Sequence, residues 1–313
     1  MDFREAARGL EGVSVRTPLL DAEAIADVAG VPVWLKPELL QPVGAFKLRG
    51  AYTAARRLPE EVRARGVVCH SSGNHGQAVA WVGKHFGIRA VIVMPESTPA
   101  VKVAGSRRWG GEVVFAGAVR GPEQLATAER LAADEALSMI PPFDHPDVMA
   151  GQGTIALEIA EQLPDAAMVL VPVSGGGLIA GVAAAMAELR PDVEVVGVEP
   201  AGAAKLSAAL AAGRPVPLPE PGRSIADGLL SRQIGELTWP VLSRHVRRAI
   251  TVTEEEIGAA VKTLYHSLGL TVEPSGAVTA AALLSRRIVP SGPVVAIASG
   301  GNVDPALLER LVA

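Results

Sequence analysis

Residues 168–191 read MVLVPVSGGGLIAGVAAAMAELRP, an apolar β-branched run, three consecutive glycines and an alanine-rich segment at helical spacing. The pattern is that of a strand, a tight turn and a helix. Glycines in succession let main-chain N–H groups converge on an anion, and the following helix turns its positive end to the same point. Ser174, Gly175, Gly176, Gly177 and Leu178 therefore suit a phosphate, although a plain tight turn would look the same. A dinucleotide turn is the rival. Its GxGxxG pattern can be written here only as Gly175, Gly177 and Ala180, with alanine last, and the next well-placed acidic residue is Glu199, after its strand.

Outward from this stretch the same order recurs, as VVCH (67–70) followed by SSGNHGQAVAWVGKHFG (71–87). Strands are expected to include 67–69, 90–94, 112–115, 168–173, 193–198 and 294–298, with alanine-rich helices between them. Alternation of this kind predicts an α/β fold of two lobes, each with a mostly parallel sheet flanked by helices. Residues 66–142 would form the smaller lobe, inserted into a larger one made of residues 1–65 and 143–313. A clear helix start lies at Thr253, where Thr253 and Glu256 make a capping-box pattern. Ile257, Val261, Leu264 and Leu268 follow on one face. The proline-rich stretch 211–224 reads as a surface connection.

Composition narrows the function classes. The 313 residues carry a net charge of −4, so there is no basic footprint for nucleic acid. The single cysteine, Cys69, excludes an internal disulfide, and no Cys/His cluster has zinc spacing. No run approaches the roughly 20 apolar residues of a membrane span, and the N-terminus lacks a signal-peptide core. A cytoplasmic enzyme acting on a small molecule is the expectation.

Three further segments can carry chemistry. In QPVGAFKLRGAY (41–52), Lys47 stands between Phe46 and Leu48. It reads either as a snorkelling surface side chain or as a desolvated amine able to condense with an aldehyde. Ser71, Ser72, Gly73, Asn74 and His75 lie between a strand and a helix, where hydroxyls, an amide and N–H groups suit a substrate carboxylate. Serine N-capping would explain only one of them. A metal role for His75 is not expected, because no partner ligand lies at helical spacing. Ser299, in ASGGNVD (298–304), ends the last apolar strand and by itself would simply satisfy a turn.

Together these segments resemble the fold type II pyridoxal-phosphate enzymes, in the branch of serine/threonine dehydratases and serine racemases. QPVGAFKLRGAY, HSSGNHGQAVA, AGQGTIALEI, VPVSGGGLIAG, SIADG, VTEEEI, EPSGA and ASGGNVD occur in the expected order along nearly the whole chain. The resemblance implies pyridoxal 5′-phosphate as cofactor, held as an imine by Lys47, which would also move protons at the substrate α-carbon. Its phosphate would sit on Ser174–Leu178, its ring hydroxyl on Asn74, its face on Phe46 and its pyridine nitrogen on Ser299. A neutral serine does not enforce a pyridinium, which favours prompt β-elimination over a long-lived carbanion. The β-hydroxyl would leave with a proton from the cofactor phosphate.

The implied activity is that of a dehydratase, an ammonia-lyase turning a hydroxy amino acid such as L-threonine or L-serine into a 2-keto acid and ammonia. Serine racemisation is the alternative, with Ser72 as the acid/base opposite Lys47, as is a dehydratase specific for 3-hydroxyaspartate. Metal-dependent relatives bind a divalent ion with an acidic residue matching Glu199, a carbonyl matching Ala203 and an acidic side chain two residues later. Lys205 stands at that last position, so either its ammonium replaces the ion or the site is lost, and no metal is expected. A homodimer is implied. Isoleucine feedback is not expected, since no regulatory domain follows Leu311.

Overall fold

Strands that are apolar on both faces are buried by helices on either side, and parallel sheets meet that demand. The structure, a computed structural model, describes residues 1–313. Its strands are β1 (Leu20–Asp21), β2 (Val33–Pro37), β3 (Val67–His70), β4 (Ala90–Met94), β5 (Glu112–Phe115), β6 (Ser138–Met139), β7 (Met168–Pro172), β8 (Glu194–Pro200), β9 (Ala249–Val252) and β10 (Val294–Ala298). They form two sheets, one ordered β1-β2-β10-β7-β8-β9 and the other β5-β4-β3-β6. Every pairing is parallel except β1 with β2. The α/β class and the mostly parallel sheets expected from the sequence are both present.

Alternate residues feed opposite cores. Val169, Val171, Val195, Val295 and Ile297 face the helices Pro146–Gln162 and Gly177–Leu189. Met168, Leu170, Val196, Val198, Val294 and Ala296 face the helices Glu254–Leu268 and Pro274–Leu284 on the other side. The smaller sheet follows the same rule, but its core extends beyond residues 66–142. Leu48, Ala51, Tyr52, Ala54 and Ala55, from the helix Lys47–Arg56, share it with Val67, Cys69, Val79 and Ile92.

The Thr253 capping box forms as its spacing predicts, with Glu256 N–H donating to Thr253 Oγ1 at 3.3 Å and Thr253 N–H to Glu256 Oε2 at 2.8 Å. Ile257, Val261 and Leu264 are buried, whereas Leu268 at the helix end is only half-buried. Strands β1, β2, β6 and β9 go beyond the sequence expectation. β1 and β6 are two residues long, β9 is a half-buried edge, and β2 reads VWLKP, with a lysine where an apolar run is sought.

That lysine belongs to a buried ionic network beneath the Lys47–Arg56 helix. Arg49 donates to Glu38 through Nε (2.8 Å) and Nη2 (2.9 Å), and to Glu158 Oε1 through Nη1 (2.6 Å). Lys36 Nζ donates to Glu158 Oε2 (2.7 Å), Thr17 O (2.6 Å) and Gln162 Oε1 (2.8 Å). Removing one member of a buried network strands its partners without compensation, at a cost of about 3–5 kcal/mol. Arg49→Ala should therefore lower the unfolding free energy by about that amount in a denaturant titration. A loss below about 1 kcal/mol would show that water replaces the guanidinium.

Candidate functional site

Parallel strands bring their carboxyl ends to one edge of a sheet, where ligands collect in α/β folds. The segments after β3, β7 and β10 begin at Ser71, Val173 and Ser299, and the Lys47 segment follows β2 through a 3-10 turn at Glu38–Leu40. Phe46 N–H donates to Ser299 O at 3.1 Å, and Ala45 bridges Gly300. Lys47 and Ser299 thus lie beside each other, although 252 residues separate them.

Lys47 is half-buried as a residue, but its amine turns inward to donate to the Pro142 carbonyl, 5.1 Å from the centroid of the half-buried Phe46 ring. Burial pulls the amine down to about 8, which raises the share of its nucleophilic neutral form. A snorkelling side chain would keep its charge in water. The next residue, Phe143, reaches the glycine turn. A Cβ on Gly175 would strike the Phe143 ring, and one on Gly177 would come within 2.8 Å of Phe143 Cβ.

Gly176 has φ +100° and caps the helix Gly177–Leu189, a backbone conformation that glycine adopts without strain. The Gly175 carbonyl is held back by Gly235 N–H (3.0 Å) and Thr238 Oγ1 (2.9 Å). The first-turn N–H groups of Gly177, Leu178 and Ile179 have no intrahelical acceptor, which makes the turn an anion cradle. Ser174 Oγ contacts Ser231 Oγ at 3.2 Å at its edge.

The loop from Ser71 to His75 opens the helix Asn74–Phe86, whose N-cap is Gly73 with no side-chain cap. Serine N-capping therefore does not explain these residues. Ser71 Oγ accepts from Gly73 N–H at 3.2 Å, Ser71 and Ser72 are half-buried, and the space beside the Gly73 Cα holds no atom within 4 Å of a built Cβ. His75 departs from the expected picture. Its imidazole is buried and contacts Ile140 O through Nε2 at 2.8 Å, and burial, followed by the Lys47 charge, pulls it down to about 3. Its Nδ1 is buried and has no hydrogen-bond partner.

The Asn74 side chain spans two distant segments. Its Nδ2 donates to Glu273 Oε1 at 2.6 Å, and its Oδ1 accepts from Asn302 Nδ2 at 2.8 Å. One amide hydrogen remains for a ring hydroxyl. Sequence reading missed Glu273, Asn302 and the 142–143 segment as site residues. Glu273 stands just before Pro274 and so reads as an ordinary helix start; nothing local reports that it is buried against a residue 199 positions away. Burial pushes Glu273 up to about 7, opposed by the Asn74 hydrogen bond and assisted by Asp227.

The residues fit pyridoxal phosphate on these observations: a desolvated lysine amine, an anion cradle at a helix end, a buried serine (Ser299, 4% exposed) and a free amide hydrogen share one cleft. They do not fit a divalent metal. No three His, Cys, Asp or Glu side chains come together, and at Glu199 and Ala203 the Lys205 ammonium takes the available oxygens.

A carboxyl raised from 4.5 to about 7 on folding contributes stability that is present below pH 4.5 and lost as pH rises through about 7. Relative to Glu273→Gln, the unmodified protein should therefore lose thermal stability between pH 4.5 and 7. Parallel melting-temperature profiles for the two proteins would refute this.

Comparison with known proteins agrees with this geometry. Residues 11–300 match the family described as pyridoxal-phosphate dependent enzyme. The chain is 40% identical over 311 residues to an L-threonine ammonia-lyase of Thermotoga maritima, covering 99% of this chain and 77% of that one. The structure of maize serine racemase superposes with a TM-score of 0.94 at 37% identity, covering 98% of this chain and 94% of the other. The serine racemase of Dictyostelium discoideum gives 0.89 at 36% identity, with 97% and 98% covered. The dinucleotide reading of the glycine turn falls with these findings, and the chain belongs to the pyridoxal-phosphate dependent enzymes.

Proposed function

We propose that the chain is an ammonia-lyase that converts a small hydroxy amino acid, L-threonine or L-serine, into a 2-keto acid and ammonia. The observation that carries the reading is the Lys47 amine, desolvated and held at Pro142 O, in one cleft with Ser299 and the glycine cradle. The L-threonine ammonia-lyase relative supports the same reaction.

Lys47 would hold the cofactor, Ser174–Leu178 its phosphate, Asn74 its ring hydroxyl, Phe46 its face and Ser299 its ring nitrogen. The cofactor supplies an electron sink that weakens bonds at the substrate α-carbon. The first-turn N–H groups after Gly73, with Ser71 and Ser72, bind the substrate carboxylate and fix the Cα–H bond toward Lys47. Lys47 Nζ takes the α-proton, a transfer made easier by an amine lowered to about 8. The Cβ–O bond would then break, and the α-proton and the β-hydroxyl together account for the water lost. The enamine product tautomerises and adds water, giving the keto acid and ammonia. Ser299, being neutral, would not enforce protonation of the ring nitrogen, which disfavours a long-lived carbanion and favours prompt β-elimination.

A second reading, serine racemisation, draws support from Ser72 beside the open space at Gly73 and from the maize serine racemase likeness. In it Ser72 is the acid/base on the face of Cα opposite Lys47. Residues 66–142 act as the small substrate-binding lobe closing on residues 1–65 and 143–313. The pair Lys102–Asp227 and the Arg120 contact with Asp227 O, at 3.4 Å, support closure across the cleft mouth. The reading extends to a cytoplasmic homodimer of twice the 32.3 kDa chain, which a sedimentation experiment checks. No helix is long and apolar enough to cross a membrane.

The test is a visible spectrum of the purified protein, then L-serine, L-threonine and L-threo-3-hydroxyaspartate with keto acid, ammonia and chirality quantified. Visible absorbance and keto acid are expected. A colourless protein after cofactor addition overturns the reading, and D-amino acid without keto acid promotes the racemase. Lys47→Ala should lose the absorption band of the bound cofactor and at least about 10²–10⁴-fold in turnover. Ser72→Ala should lose inversion selectively if the second reading holds.

A further inference from the structure

Buried charges are retained where other groups hold them, and Lys205 is such a case outside the cleft. It opens the helix Lys205–Ala212, where a cation meets the positive end of the dipole. Its side chain turns back instead. Nζ donates to Ala203 O at 2.6 Å and to Leu229 O at 2.8 Å, and stands 3.6 Å from Glu199 Oε1. Both side chains have no solvent exposure. The Glu199 carboxylate also accepts N–H groups from Leu206 (2.7 Å) and Ser207 (3.0 Å) and the Ser207 hydroxyl (3.0 Å). Two carbonyls and a carboxylate around one buried charge are oxygen donors of the kind a hard cation takes.

The cage holds a wall of the cleft. Leu229 ends the turn Asp227–Leu229, whose Gly228 N–H donates to Ser275 Oγ at 2.9 Å and whose Asp227 pairs with Lys102 from the helix Ala100–Arg108. The divalent ion implied by resemblance at Glu199 and Ala203 does not fit, because its place is taken. We infer that this cage is a cation site filled permanently by Lys205, so that the chain fixes the Asp227–Leu229 wall without a free metal ion. Replacing the side chain opens the site to an ion from solution.

The measurement is the melting temperature of the cofactor-loaded protein after dialysis against EDTA. Millimolar Mg²⁺ or Mn²⁺ is expected to leave the unmodified protein unchanged; a rise in its melting temperature that EDTA reverses overturns the inference. Lys205→Asp supplies a second carboxylate to the same cage. It should melt lower than the unmodified protein and recover by on the order of 5 °C with Mg²⁺ or Mn²⁺, binding one ion per chain in equilibrium dialysis. No recovery overturns the inference. If Lys205→Asp does not fold, Lys205→Ala in ammonium chloride is compared with sodium chloride at equal ionic strength. A higher melting temperature in ammonium supports the cage, and equal values overturn it. None of these readouts depends on the reaction performed in the cleft.

Discussion

The Arg49 guanidinium, buried between Glu38 and Glu158, is the constraint on which the rest of the site depends. Arg49 lies two residues beyond Lys47 on the same helix, Lys47–Arg56, so whatever fixes Arg49 fixes the start of that helix. Glu38 follows β2 and Glu158 lies in the helix Pro146–Gln162, so the network clamps the lysine helix between two elements of the larger sheet's layer. That helix also contributes Leu48, Ala51 and Tyr52 to the core of the smaller sheet. One helix is thus packed in the core of the smaller sheet and ion-paired to the layer of the larger, and Lys47 opens it.

Charge in the cleft is muted rather than concentrated. Burial lowers the Lys47 amine to about 8 and raises the Glu273 carboxyl to about 7, two shifts from one cause acting on groups of opposite sign. Each is moved toward its neutral form. Positive partial charge comes instead from main-chain N–H groups at two helix starts, at Gly177 and at Asn74, at no cost in side-chain desolvation. Buried ion pairs are held apart from it, in the Arg49 network below the cleft and in the Lys205 cage beside it. A site so arranged suits proton transfer at carbon, where groups must change charge cheaply.

Asn74 shows how the two sheets share the work. It starts a helix of the smaller sheet's layer, yet its amide is fixed by Glu273 and Asn302, which flank β10 of the larger sheet. Asn302 also donates to Val43 O at 2.8 Å, close to the lysine segment. These bonds tie the start of that helix to segments of the larger sheet's layer.

The sequence by itself determined the class of fold and the places where chemistry could occur, because both rest on short-range pattern. Alternating β-branched and alanine-rich runs specify parallel strands and helices. A glycine turn before a helix marks a place where an anion can sit, and Thr253 with Glu256 specifies a cap, whatever the rest of the chain does. The tertiary structure alone decided which candidates meet, since contacts such as Asn74–Glu273 and Phe46–Ser299 join residues far apart in the chain. It also turned the His75 imidazole into the core and placed the Lys205 ammonium among oxygens. Local spacing carries no record of either, because burial and hydrogen-bond partnership depend on what the other elements bring alongside.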